Sequence, residues 1–207
     1  MHGTVIGISG GTGTGKSALA GYLRRAGAAC YSVDIAAHRL YAAGGPLAGR
    51  IVRVFGAGVE ARGGGVDRGA LGDAVFGSAS ALRKLDAMVH PVLRREALAA
   101  IARIRSRFPV VVVEAGAILF ALGLDRAADR IVLTVCPRAV RLRRLVRGRG
   151  LGAAEATRRL AAFRATEARM LKAARGRRRT RVLDTGGSPA RLEAAAADLM
   201  REAEWRG

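Results

Sequence analysis

Aromatic residues make up only 4% of this 207-residue chain, although half of its positions are apolar. A buried core must therefore come from aliphatic side chains and alanine, as in layered α/β proteins. Cysteine is almost as rare. Cys30 and Cys136 are too few for a disulfide framework. Each lies in a short apolar run that reads as a strand, so both are expected to be buried free thiols. No basic-apolar-small leader opens the sequence. The longest apolar stretch, Val110 to Leu124, is broken by Glu114 and falls short of a membrane span. These absences point to a reducing cytoplasm. Acidic side chains are outnumbered, with 16 Asp plus Glu against 36 Lys plus Arg, a formal charge of +20. Only Lys16, Lys84 and Lys172 are lysines. The arginines are spread along the chain, which fits a bias towards Ala, Gly and Arg better than a dedicated nucleic-acid surface. Either way, anionic substrates are steered towards the molecule. His2, His38 and His90 have no metal-ligand spacing.

What is present is an alternation of strands and helices. Thr4–Ser9 reads as a first strand, followed by a glycine-rich turn and a helix from about Lys16 to Ala26. Ala29–Val33 reads as a second strand, ending at Asp34. Pro109–Glu114 is a continuous β-branched run, expected to be buried on both faces. Arg130–Val135 and Thr180–Leu183 supply two more strands. This pattern predicts a five-stranded parallel sheet flanked by helices. Between the second and third strands, residues 35–108 read as mostly helical, with an end or bend expected at His90-Pro91. Gly56–Gly65 reads as a loop. A further helical stretch, about Gly152–Ala174, sits between Arg-rich flanks.

The most specific signal is Gly10-Gly11-Thr12-Gly13-Thr14-Gly15-Lys16-Ser17, a full match to G-x-x-x-x-G-K-[ST] between a strand and a helix. Glycines let consecutive backbone N–H groups turn inward around phosphates, and the helix N-terminus adds a partial positive charge. Gly11, Thr12, Gly13, Thr14, Gly15, Lys16, Ser17 and Ala18 are thus the candidate nucleotide-binding residues. Lys16 is placed to reach the β- and γ-phosphates of ATP, and the Ser17 hydroxyl to ligate Mg²⁺. No GTPase base-reading N-K-x-D motif follows. A short chain with an Arg-flanked helical insertion suits a small-molecule kinase with a lid that excludes water.

From Ser32 onward the chain resembles the dephospho-coenzyme A kinase family. Ser32-Val33-Asp34-Ile35-Ala36-Ala37-His38-Arg39-Leu40-Tyr41 is similar to that family's D-A-D-x-x-A-H-x-(L/V) segment. Asp67-Arg68-Gly69-Ala70-Leu71-Gly72-Asp73-Ala74-Val75-Phe76 resembles D-R-x-x-L-(G/A)-x-x-V-F, and Leu85 to Pro91 resembles L-x-x-(I/V)-x-H-P. Ala128-Asp129-Arg130-Ile131, Cys136-Pro137 and Val182 to Ser188 continue the likeness, in order and spacing, over nearly the whole chain. Ser32, Ala121, Gly148 and Phe163 depart from the family pattern.

The resemblance implies a P-loop fold in one domain, with a helical substrate region at about 35–108 and a lid at about 141–178. It also implies ATP-dependent phosphorylation of the ribose 3′-hydroxyl of dephospho-CoA, the last step of coenzyme A synthesis. Asp34 falls on the family's general base. At the end of the second strand a carboxylate could accept a hydroxyl proton, and it could also cap a helix beginning at Ile35. Arg144 matches the family's E-R-L arginine and joins Asp34 and Lys16 as a candidate catalytic residue. The next family arginine falls on Gly148, flanked by Arg147 and Arg149. Glu114 suits either a water-mediated metal contact or a cap. His90 reads as architecture. Two alternatives stay open: another nucleoside or nucleotide kinase, and a non-catalytic basic P-loop protein that holds nucleotide or nucleic acid. The expected partners are ATP and dephospho-CoA, with no membrane and a monomeric or weakly homo-oligomeric state.

Overall fold

The structure is a computed structural model that describes residues 3–76, 78–162, 164–175 and 179–204. Five strands, β1 (Thr4–Gly10), β2 (Ala29–Ser32), β3 (Val110–Glu114), β4 (Arg130–Val135) and β5 (Thr180–Asp184), form one parallel sheet in the order β2-β3-β1-β4-β5. The expected sheet is present, with strand ends moved by a residue or so. Every residue of β1 is buried, as are Val110 to Val113 of β3. That double-sided burial is what the unbroken β-branched runs encode.

Alternate residues face two helical layers. Ile6, Ile8, Val110, Val112 and Val132 pack with Leu19, Ala20 and Leu23 of α1 (Lys16–Arg25) and with Leu192, Ala196, Leu199 and Met200 of α9 (Pro189–Glu204). On β4, Leu133 packs with Met170 and Ala174 of α8 (Arg164–Arg175). The Arg-rich stretch 141–150, read from sequence as a flank, is itself helical. All of it but Gly150, the left-handed C-cap, lies within α6 (Arg138–Arg149), which shares a small core with α7 (Ala153–Ala162) through Leu145, Ala156 and Leu160.

Two compact units divide the chain: residues 1–32 with 98–207, and residues 33–97. The second unit carries α2 (Val33–Tyr41), α3 (Ala48–Phe55), α4 (Arg68–Phe76) and most of α5 (Ala79–Arg105). Asp67 caps α4, its Oδ1 accepting from the N–H groups of Gly69 at 2.8 Å and Ala70 at 3.1 Å. The expected loop 56–65 holds one turn of 3₁₀ helix at Ala57–Val59 and closes by a bridge from Glu60 to Val66.

Two expectations are corrected. Of the end or bend expected at His90-Pro91, the end is excluded, because α5 carries Pro91 inside it. Its apolar stripe of Met88, Val89, Leu93 and Ala97 is buried on both sides of the proline, and that burial offsets the lost backbone hydrogen bond. Cys30 is exposed and Cys136 half-buried, although both are free thiols. Cys30 stands on the edge strand β2, which has a neighbouring strand on one side only.

Candidate active site

The phosphate loop leaves the C-terminal end of the central strand. There the β1-to-β2 connection runs to one side of the sheet and the β3-to-β4 connection crosses to the other. Ligands of open α/β sheets bind at such a divergence. Gly13 (φ 77°) and Gly15 (φ 80°) adopt the left-handed backbone that the loop requires. A side chain at Gly13 would also press on the backbone of Arg141 at 3.2 Å. Lys16 opens α1, and its Nζ donates to the Gly11 carbonyl at 2.8 Å, folding the ammonium back over the loop.

Buried hydroxyls brace the loop from beneath. Thr14 Oγ1 donates to the Gly11 carbonyl at 2.8 Å and lies 2.7 Å from Thr134 Oγ1. Thr185, just past β5 and 3% exposed, donates its hydroxyl to the Thr14 carbonyl at 2.6 Å. Arg144 closes the arrangement. Its Nη2 donates to the Thr185 carbonyl at 2.6 Å, and its Nη1 reaches the Gly13 carbonyl and Thr185 Oγ1, each at 3.4 Å. The E-R-L arginine is thus packed on the loop. Arg144, Gly13, Gly15, Lys16, Ser17 and Gly148 are among the residues lining a cavity of about 210 Å³.

A second arginine grips the loop from the same helix. Arg141 Nε donates to the Thr12 carbonyl at 2.7 Å, and its two outer nitrogens form a fork with the Glu167 carboxylate. Sequence reasoning singled out neither Arg141 nor Glu167, and it met Thr185 only within the family-like stretch Val182 to Ser188, with no role given to it. A signal existed for Glu167: between Arg138 and Arg175 the chain has only two acids, Glu155 and Glu167. In so basic a stretch an isolated carboxylate marks a specific partner.

Ser17 Oγ donates to Glu114 Oε1 at 2.6 Å. Of the two readings open for Glu114, the cap has no support here, because the following 3₁₀ turn (Gly116–Ile118) shows no side-chain cap. The carboxylate instead faces the very hydroxyl expected on the metal. Two hard oxygen donors side by side next to a phosphate cradle fit Mg²⁺, which keeps most of its shell for water and phosphate. No group of three or more His, Cys, Asp or Glu among the described residues forms a metal cluster.

Asp34 lies in the second unit and requires a correction. It does not end a strand and does not cap a helix beginning at Ile35. Strand β2 stops at Ser32, which pairs with Glu114, and α2 starts at Val33 with Asp34 exposed in its first turn. Strand β3 itself ends at Glu114, so residue 33 has no ladder partner, and Val33 is fully buried as a helical residue instead. One helical turn on, His38 lies on the same face as Asp34, with Arg68 Nη1 3.5 Å from its Nδ1. Partial burial holds the His38 ring below its ordinary pKa, with Arg68 adding to this and Asp34 opposing it. His90 pairs with Asp86 at 3.4 Å, one turn back on α5, in keeping with an architectural role. Ala121 and Gly148 are exposed, Ser32 is half-buried at the end of β2, and Phe163 lies outside the described residues.

The site therefore brings together Gly11 to Ala18, Arg144 and Glu114 within one unit, while Asp34 stands at the start of the other. No helix among the described residues is long and apolar enough to cross a membrane. Comparisons with known proteins bear on the same residues. A family model described as Dephospho-CoA kinase matches residues 4–176. The dephospho-CoA kinase of Anaeromyxobacter dehalogenans is 37% identical over 96% of this chain and 91% of its own length. That of Moorella thermoacetica is 36% identical over 98% and 91%. Among solved structures, TT1252 from Thermus thermophilus superposes with a TM-score of 0.76 at 31% identity, covering 98% of each chain. The dephospho-CoA kinase from Campylobacter jejuni shares the fold with a TM-score of 0.61 at 18% identity, over 97% of each chain. By its phosphate loop, its order of elements and its likeness to these proteins over nearly its whole length, the chain belongs to the dephospho-CoA kinase family.

Proposed function

We propose that this chain transfers the γ-phosphoryl group of ATP to the ribose 3′-hydroxyl of dephospho-CoA, giving coenzyme A and ADP, in the cytoplasm. The observation that carries the reading is the braced phosphate loop with Lys16, Ser17, Glu114 and Arg144 around it, in a chain of this family.

Phosphoryl transfer is catalysed mainly by positioning and charge neutralisation. The backbone N–H groups of the loop bind the phosphate chain, and Lys16 exchanges the Gly11 carbonyl for phosphate oxygens. Arg144, held in place by Thr185, adds a second positive charge at the mouth of the loop. Ser17 and Glu114, side by side at 2.6 Å, would hold Mg²⁺. The ion would supply charge neutralisation for the phosphate chain there. Asp34 accepts the proton of the attacking hydroxyl as the general base. Helices α6 to α8 act as the lid, excluding water so that the γ-phosphate meets the substrate alcohol.

The test is to incubate the protein with ATP, Mg²⁺ and dephospho-CoA and to follow coenzyme A and ADP together. Stoichiometric formation of both supports the reading. ADP release with other nucleosides or nucleotides but not with dephospho-CoA would reassign the acceptor. No turnover, combined with strongly salt-dependent binding to DNA, would favour a binding protein.

A further inference from the structure

Arg141 and Glu167, on the phosphate loop, form the most enclosed ion pair among the described residues, with side chains only 13% and 15% exposed. The guanidinium donates through Nη1 to Glu167 Oε2 at 3.0 Å and through Nη2 to Oε1, while its Nε holds the Thr12 carbonyl at 2.7 Å. The carboxylate lies against the loop itself, since a Cβ built on Gly11 would fall 2.1 Å from Glu167 Oε1 and 2.8 Å from Arg141 Nη2. A negative group thus sits at the rim of a cradle built for negative ligands, and it occupies one of the two guanidinium groups anchored on that rim.

We propose that Arg141 is a phosphate-binding residue held in reserve by Glu167. When a polyphosphate enters the loop, the guanidinium exchanges the carboxylate for phosphate oxygens, and α8 is released from Gly11. This rests on the nucleotide reading of the loop given above. The physical reason is a competition for a single fork of donors. Arginine pairs with carboxylate and with phosphate in the same two-pronged geometry, and a polyphosphate carries more charge. With nucleotide bound, Glu167 faces a like charge across Gly11, and the enclosed position of the pair weakens solvent screening of that repulsion. Glu167 acts through Arg141 and is a positioning residue.

The two partners therefore have opposite effects on nucleotide affinity, which a purely structural latch does not predict. The experiment is direct binding of MgATP without acceptor, by calorimetry, to wild type, Glu167→Gln and Arg141→Met. Glu167→Gln, which keeps the side-chain shape and frees the guanidinium, is expected to tighten binding by about three- to tenfold. Arg141→Met, which removes the phosphate ligand and leaves the carboxylate unpaired, is expected to weaken it by roughly tenfold or more. Binding of adenosine, which has no phosphate, should not change in either variant. If Arg141→Met does not fold, Arg141→Lys takes its place, with an expected weakening of about threefold because the fork is lost and the charge kept. The proposal is overturned if Glu167→Gln weakens MgATP binding, or if it leaves the affinity unchanged. Failure of wild type to bind MgATP at all would instead remove the nucleotide reading, and this inference with it.

Discussion

Replacing Thr185 by valine is the sharpest probe of how the loop is held. Valine keeps the shape of threonine and deletes one hydroxyl. That hydroxyl is buried and donates to the Thr14 carbonyl at 2.6 Å, between two glycines of the loop. It also lies 3.4 Å from Arg144 Nη1, which keeps its stronger anchor on the Thr185 carbonyl through Nη2 at 2.6 Å. Leaving a buried carbonyl without its donor costs about 1–3 kcal/mol. At about 2–4 °C per kcal/mol for a chain of this size, Tm should fall by roughly 2–12 °C. MgATP binding should weaken by about three- to tenfold, since Thr14 and Arg144 both lose a fixed point. Thr185→Ser is the control. It keeps the hydroxyl and loses one methyl group, about 0.8 kcal/mol of burial, so it should stay within a few degrees of wild type and bind nucleotide normally. Differential scanning calorimetry and nucleotide titration read both variants. Equal behaviour of the valine and serine variants in both assays would refute the bracing role of the hydroxyl.

Three further outcomes are expected. Pro91→Ala restores an N–H inside α5 opposite the Ala87 carbonyl and should raise stability by up to about 3 kcal/mol; a lower Tm would mean that the helix uses the shape of proline. Glu114→Gln should raise the Mg²⁺ concentration needed for half-maximal activity by at least about tenfold while binding of ATP in EDTA stays normal, and an unchanged Mg²⁺ requirement would remove Glu114 from the metal's surroundings. By NMR, His38 should titrate below the ordinary histidine value because of its burial and Arg68, moving up in Arg68→Gln and further down in Asp34→Asn. The opposite movements would contradict the α2 geometry.

The sheet was legible because its strands are chemically unambiguous. Val110 to Glu114 and Arg130 to Val135 are β-branched runs bounded by turns, and they fold where the pattern places them. The loop was legible because the backbone geometry of a phosphate cradle demands glycine and lysine at fixed spacing. Asp34 was misplaced by the width of a helix start: Val33 is as good a strand residue as a helix residue, and only the end of β3 decides between them. Helix α6 was missed because arginine fills so many of its positions that Leu142, Leu145 and Val146 leave a weak apolar period. The fork of Arg141 and Glu167 and the bond from Thr185 to Thr14 join residues 26 and 171 positions apart. Such pairings depend on tertiary packing and leave no local pattern. The proline in α5 shows the same override, with burial of Met88, Val89 and Leu93 outweighing a local breaker.

The account depends on a division of labour, in which the loop binds the triphosphate and the Asp34 carboxylate takes the proton of the acceptor. Single-turnover kinetics of Asp34→Asn with MgATP and dephospho-CoA, run beside MgATP binding to the same protein, test it most directly. The predicted result is MgATP affinity within about threefold of wild type, with phosphoryl transfer slowed by about 10²- to 10⁴-fold. Transfer at close to the wild-type rate, with the acceptor bound normally, would contradict it.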